Sequence, residues 1–342
     1  MDTRTREFVA SGFTVAIFLA VQLGALALVG PFKTAGYQTV KDPSNPTNSL
    51  VYIGVILVFT AGMLLVIKLG VEWILRAIII LTSGMLSLYV FTVVIPAVVT
   101  VTVDGSPVNV LAWAAAALVS VALLLYPEWY VIDSAGVVMG AGSAGLFGIS
   151  FGLLPAILLL AVLAVYDAIS VYGTEHMLTL ASGVMDLKIP VILVIPLSLS
   201  YSFLEDAVEA TSEGAVNEDE VAASADEQAV DGGEDVETDE AGSGAHDRDA
   251  FFIGLGDAVM PTVMVASAAF FSPAEPLLSG IALNLPALTA MVGTLVGLVV
   301  LLWMVMKGRA HAGLPLLNGG AIGGYLVGAL ASGIPLLKAL GL

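Results

Sequence analysis

The sequence predicts an all-α polytopic membrane protein with nine transmembrane helices. It is 58% hydrophobic, with a mean hydropathy of +0.99. Only 12% of its residues are charged, where a soluble domain carries about 25%. Apolar stretches of about 20 residues recur along most of the chain, each long enough to cross a hydrocarbon core ~30 Å thick.

In chain order the predicted spans are 8–29, 50–67, 73–99, 108–125, 131–148, 153–171, 251–271, 281–306 and 315–336. The first is too long for a cleavable signal peptide and lacks a clear small-residue cleavage site. A further apolar stretch, 177–200, contains Asp186, Lys188, Pro190 and Pro196. It reads as a broken or interfacial helix, because charges and prolines interrupt a clean crossing. Three segments follow: a six-span bundle over 1–185, the broken helix and an acidic loop over 186–250, and a three-span part over 251–342.

Charge orients the chain. With nine spans and the N-terminus inside, the cytoplasmic side receives Arg4, Arg6, Lys68, Arg76, Lys188, Arg248, Lys307 and Arg309. The other side receives Lys33, Lys41 and Lys338, an asymmetry that satisfies the positive-inside rule. The expected protein is integral to the cell membrane, with a cytoplasmic N-terminus and an extracytoplasmic C-terminus. Ten spans would flip everything downstream. The net charge of −18 is local: residues 204–249 hold 17 acidic residues and one basic residue, leaving −2 for the rest. Such composition suits a disordered tether, and it implies no nucleic-acid partner.

Two aspartates stand inside apolar runs. Asp167 lies late in the sixth span and Asp257 early in the seventh. A carboxylate at the centre of a membrane helix costs roughly 2.5–3.5 kcal/mol, so such residues face polar interiors and carry function. The two spans run antiparallel, which sets both carboxyls at similar depth in the inner half of the bilayer. Two carboxyl groups in one low-dielectric site cannot easily both ionise; one holds a proton while the other holds the charge. That state activates water against a peptide carbonyl. The neighbours suit this chemistry. Tyr166 offers a hydroxyl beside Asp167. Gly254 and Gly256, flanking Leu255, leave a bare face on which another backbone can approach Asp257. Pro261 should disturb the helix one turn later.

Tyr166-Asp167 in the sixth span and Gly254-Leu255-Gly256-Asp257 in the seventh, separated by a hydrophilic loop, resemble the presenilin and signal peptide peptidase group of intramembrane aspartyl proteases. The resemblance covers nearly the whole chain. The stretch Gly313-Leu314-Pro315-Leu316-Leu317-Asn318-Gly319-Gly320 looks like the archaeal presenilin homologues in particular. It implies a presenilin-like fold and catalysis by Asp167 and Asp257. It also implies an active-site loop at Leu314, Pro315, Leu316 and Leu317 that contacts substrate. Here the family's Pro-Ala-Leu motif is altered, a large Leu316 replacing a small residue. A literal Pro286-Ala287-Leu288 opens the eighth span and is a decoy. The substrates implied are transmembrane helices, expected to have their N-termini outside, which must unwind so that an extended segment can pair with backbone near Pro315. No cofactor or metal is needed, and obligate partner subunits are not implied.

Other chemistries are weaker. The absence of cysteine excludes thiol nucleophiles, iron–sulfur clusters and disulfides. Glu175-His176 lacks the zinc-protease pattern, and Ser143 is not in a nucleophile elbow. Asp133 reads as a helix cap at the interface. Gly320, Gly324 and Gly328, like Gly136 and Gly140, read as close helix packing. The rival class is an ion- or proton-coupled transporter using paired carboxylates, but the expected internal repeat is not visible.

Overall fold

A computed structural model describes residues 3–69, 71–103, 105–173, 192–197, 201–202, 250–278, 280–307 and 312–342. The expected acidic tether over 204–249, His176 and most of the stretch 177–200 lie outside the described residues. The described helices are α1 (Thr3–Thr34), α2 (Thr47–Lys68), α3 (Glu72–Val94), α4 (Val110–Leu125), α5 (Trp129–Ser150), α6 (Leu153–Gly173), α7 (Leu255–Phe271), α8 (Leu285–Val305), α9 (Gly313–Ala331) and the short α10 (Leu336–Ala339). Four short strands accompany them: β1 (Thr100–Val103), β2 (Ser106–Asn109), β3 (Ile192–Pro196) and β4 (Ala250–Gly254). Among the described residues seven helices are long and apolar enough to cross a membrane; α4 and α7 are apolar but shorter.

The boundaries follow from local chemistry. The third helix stops at Val94, well short of the expected 99, because Pro96 bars Ile95 from helical geometry. The β-branched run beyond it takes up strand β1 instead. A turn through Gly105, at φ 81°, pairs β1 with β2. Asn109 then caps α4, its side chain accepting the Ala112 N–H at 3.4 Å. Asn284 does the same for α8 through the Ala287 N–H at 2.9 Å, with Pro286 in the first turn as expected for a helix start.

Two expectations are corrected. The part of 177–200 that is described, Ile192–Pro196, is a strand and not helix; it pairs antiparallel with Ala250–Gly254. Leu193, Val194 and Ile195 are all buried, so the segment shows a continuous apolar run with no helical or strand period. The seventh span also begins later than residue 251, because Phe251 to Gly254 belong to β4. Its 17 helical residues span only about 25 Å at 1.5 Å each.

Helix α7 is the centre of the molecule. One side (Ala258, Val259, Val263) packs with α1, α5 and β3; the other (Met264, Val265, Ala268) packs with α6, α8 and α9. In contrast, α2 packs by one side only, through Tyr52, Ile53 and Ile56, and large apolar residues such as Val58, Phe59 and Leu65 cover its outer face. In a membrane that surface is solvated by lipid.

Candidate active site

The site assembles where α6 ends, α7 begins and α9 begins. Asp257 is the third residue of α7, in its first turn, where the helix dipole presents its positive end. Asp167 sits late in α6. Both are partly exposed rather than sealed in the core. Their link is the first turn of α9. The Leu314 N–H donates to Asp167 Oδ2 at 3.0 Å. Its neighbour Gly313 faces the other carboxyl: a Cβ built on Gly313 would lie 3.5 Å from Asp257 Oδ2. Consecutive Cα atoms are about 3.8 Å apart, so two carboxyls that touch successive residues are neighbours, within electrostatic reach of one another.

This arrangement corrects the expected loop at Pro315. Leu314, Pro315, Leu316 and Leu317 are helical, in the opening turns of α9. Pro315 fits there because first-turn amides have no intrahelical partner and a missing N–H costs nothing. The remaining orphan amides stay available, and Asp167 takes the one from Leu314. Leu317 is fully buried, and Leu316 packs against the same core. Leu314, Pro315 and Leu316 are only partly buried.

The other expected residues divide. Gly254 lies against Asp257, since a Cβ there would be 3.6 Å from its Oδ2. Gly256 is exposed with open space around it, as a bare approach face requires. Leu255 turns inward, its Cδ1 lying near the bare Cα positions of Gly136 and Gly140. Tyr166 does not join the carboxyls: it is 45% exposed, and its hydroxyl makes no hydrogen bond among the described residues. Pro286-Ala287-Leu288 lies at the far end of the molecule. Asn284 beside it bonds Ala268 O at 2.9 Å, and Ala268 is eleven residues, or about 16 Å of helix, beyond Asp257. The decoy reading agrees with that separation.

Three residues make contacts that the sequence alone does not show, two of them within the stretch 313–320. Gly313 is one. Tyr172 is another, its hydroxyl accepting the Ala312 N–H at 3.4 Å. Asn318 donates from Nδ2 to Leu160 O at 3.0 Å while buried. Leu160, Asp167 and Tyr172 thus hold α9 against α6 at successive levels. An amide in an apolar helix was a legible signal for Asn318; the others depend on tertiary contact. Among the described residues no cluster of three or more histidine, aspartate or glutamate side chains is placed to hold a metal ion.

The space beside Asp257 makes a prediction. Gly313→Ala would put a methyl group 3.5 Å from Asp257 Oδ2 and 3.3 Å from Leu301 Cδ2, filling the space beside that carboxyl. Turnover should fall roughly tenfold, given how steeply rate depends on placement near reacting atoms. Gly319→Ala, with nothing within 4 Å, should stay within about twofold of the parent, as surface changes do. Steady-state cleavage of a membrane-helix reporter by both variants checks this; equal rates would show the space to be idle.

Known proteins resemble this chain over most of its length. The family described as "Signal-peptide peptidase, presenilin aspartyl protease" matches residues 15–334. A solved structure of a presenilin family intramembrane aspartate protease, in a C222 crystal form, is 34% identical. It covers 94% of this chain and 99% of its own, with a TM-score of 0.62. Another, in a P2 form, is 35% identical, covering 93% and 96%, with a TM-score of 0.59. Comparison with curated protein sequences gives no significant match.

Proposed function

This chain belongs to the signal-peptide peptidase and presenilin family of intramembrane aspartyl proteases, and from that premise we propose that Asp167 and Asp257 are its catalytic pair. The observation that carries the reading is the first turn of α9. It binds Asp167 through the Leu314 amide and leaves bare Gly313 space at Asp257. The pair holds one proton between two carboxyls. The charged member removes a proton from water as the water oxygen attacks the scissile carbonyl, and the protonated member donates to the carbonyl oxygen. The resulting gem-diol collapses when a carboxyl protonates the amide nitrogen and the other recovers a proton from a diol hydroxyl. The C–N bond then breaks to amine and acid, and the pair returns to its starting state.

In this reading α4 and α7 join the seven longer helices to give nine spans. The eight-to-three bias of basic residues supports a cytoplasmic N-terminus. Substrates are membrane helices that locally unwind, because a helical peptide bond is sterically shielded and its carbonyl is already engaged. Leu314, Pro315 and Leu316 wall the cleavage site, and Leu317 anchors that wall in the core. The test is purified full-length protein with a reporter membrane helix and a peptide analogue bearing a hydroxyl at the scissile position. Cleavage inside the apolar segment, blocked by the analogue, is expected. Cleavage confined to flanking loops, or indifferent to the analogue, would count against the assignment.

A further inference from the structure

Beyond the catalytic pair, the chain carries a third carboxyl that is buried where the mechanism has no use for it. Asp133 was expected to cap a helix; it lies instead within α5, after the helix has started at Trp129, and is 5% exposed. Its Oδ1 accepts the Val194 N–H of β3 at 2.8 Å, while Oδ2 has no partner among the described residues. A buried carboxyl with one bare oxygen is a poor way to gain stability, since desolvation opposes it and an apolar side chain would fill the volume. What it does supply is direction: a single acceptor that fixes where one strand amide sits.

That strand leads to the active site. Val194 pairs with Phe252, and Ile192 pairs with Gly254, three residues before Asp257. The same face of α5 also receives Leu193 of β3 and Leu255 at the start of α7. Leu193 Cδ2 lies 2.9 Å from where a Cβ on Gly136 would be, and Leu255 Cδ1 fits against Gly140. At the start of α5, Ser202 Oγ donates to Glu128 Oε1 at 2.7 Å, tying the chain just after β3 to the same helix. We propose that Asp133 is a positioning residue: it registers β3 on α5, β3 registers β4, and β4 sets the height and angle at which Asp257 enters the site. The proposal rests on the reading of Asp257 as catalytic.

The absence of native cysteine permits a direct test on the full-length, detergent-purified protein. Ile195 is fully buried beside Val194, so the substitution Ile195→Cys gives a thiol whose maleimide labelling reports undocking of β3. With Asp133 present, or with Asp133→Asn, whose amide oxygen still accepts from Val194, labelling should be slow and reporter kcat should stay within about threefold of the parent. With Asp133→Leu, labelling should quicken and kcat should fall roughly 10–100-fold with KM nearly unchanged, the scale of leaving one buried hydrogen-bonding group without its partner. Val194→Pro removes the same bond from the donor side and should reproduce both effects, which covers the case in which Asp133→Leu does not fold. Slow labelling and full kcat in Asp133→Leu or Val194→Pro would overturn the proposal. So would Asp133→Asn as inactive as Asp257→Asn with the thiol still protected, because Asp133 would then act in the chemistry. Cleavage by Asp257→Asn would remove the catalytic reading instead, and the labelling would still decide whether Asp133 docks the strand.

Discussion

Asparagine at position 257 is expected to lower single-turnover cleavage of a membrane-helix reporter by about 10⁴-fold or more, and Asp167→Asn should do the same. The size follows from the way the groups act. General acid–base catalysis contributes about 10²–10⁴-fold per group, and groups that work as a unit fail together. An amide can neither take the proton of water nor hold the one that the partner must donate. Each exchange is nearly isosteric, so the fold should survive. At position 167 the amide oxygen can still accept from Leu314, and at position 257 the side chain is only partly buried. Asp167→Ala is a different experiment, since it also removes the acceptor that holds the first turn of α9. It should lose activity and loosen that turn, whereas Asp167→Asn should lose activity alone. The measurements are cleavage and thermal unfolding side by side. Either asparagine variant cutting at more than about a tenth of the parent rate would contradict a two-carboxyl mechanism, given those magnitudes.

The two aspartates were legible because the solvent makes them so: in hydrocarbon a carboxyl is expensive, and an expensive residue in an apolar run asks for an explanation. Helix positions were legible for the same reason, since the length of an apolar run is dictated by bilayer thickness. The shorter α4 and α7 were less so. In both, a strand takes residues that hydropathy alone assigns to the span, because hydropathy registers burial and is blind to backbone geometry. Strand β3 shows the limit most clearly. Its partner β4 is more than fifty residues away, and only pairing with that partner decides that Leu193, Val194 and Ile195 are extended. The same distance hid the role of Asp133. Read locally it is a polar residue near a helix start, hence a cap; its amide partner, Val194, is 61 positions along the chain. Gly313 was hidden because a glycine's function here is the space it leaves beside a residue in another helix.

The glycines of α9 were legible as a packing stripe, but what they pack against was not, and that partner sets the second large effect. Gly320, Gly324 and Gly328 meet α8 at Gly293, Thr289 and the Leu285–Pro286 turn, and Gly297 of α8 meets the Leu316 carbonyl in return. At Gly293, Gly297, Gly320 and Gly324 the atom that an added Cβ would overlap is a backbone carbonyl oxygen of the other helix. A flexible side chain could swing aside; a carbonyl held in a helical hydrogen bond cannot. Gly324→Val must therefore push α8 and α9 apart, at an expected cost of about 3 kcal/mol or more, the upper range for overpacking a tight interface. Gly323→Ala, with nothing within 4 Å, should be neutral or slightly stabilising, since alanine is the better helix former. Activity should fail earlier than folding. The turn that holds Asp167 and faces Asp257 opens the same helix, so a shift of α9 away from α8 moves the Leu314 amide and the Gly313 space together. At a temperature where Gly324→Val is still folded, its kcat should fall by roughly 10²-fold, the penalty for about 1 Å of misplacement. Parallel melts and reporter kinetics on Gly324→Val and Gly323→Ala separate the cases. If Gly324→Val melts and cuts like the parent, backbone contact along this seam is not what places α9, and the three hydrogen bonds to α6 must be sufficient alone.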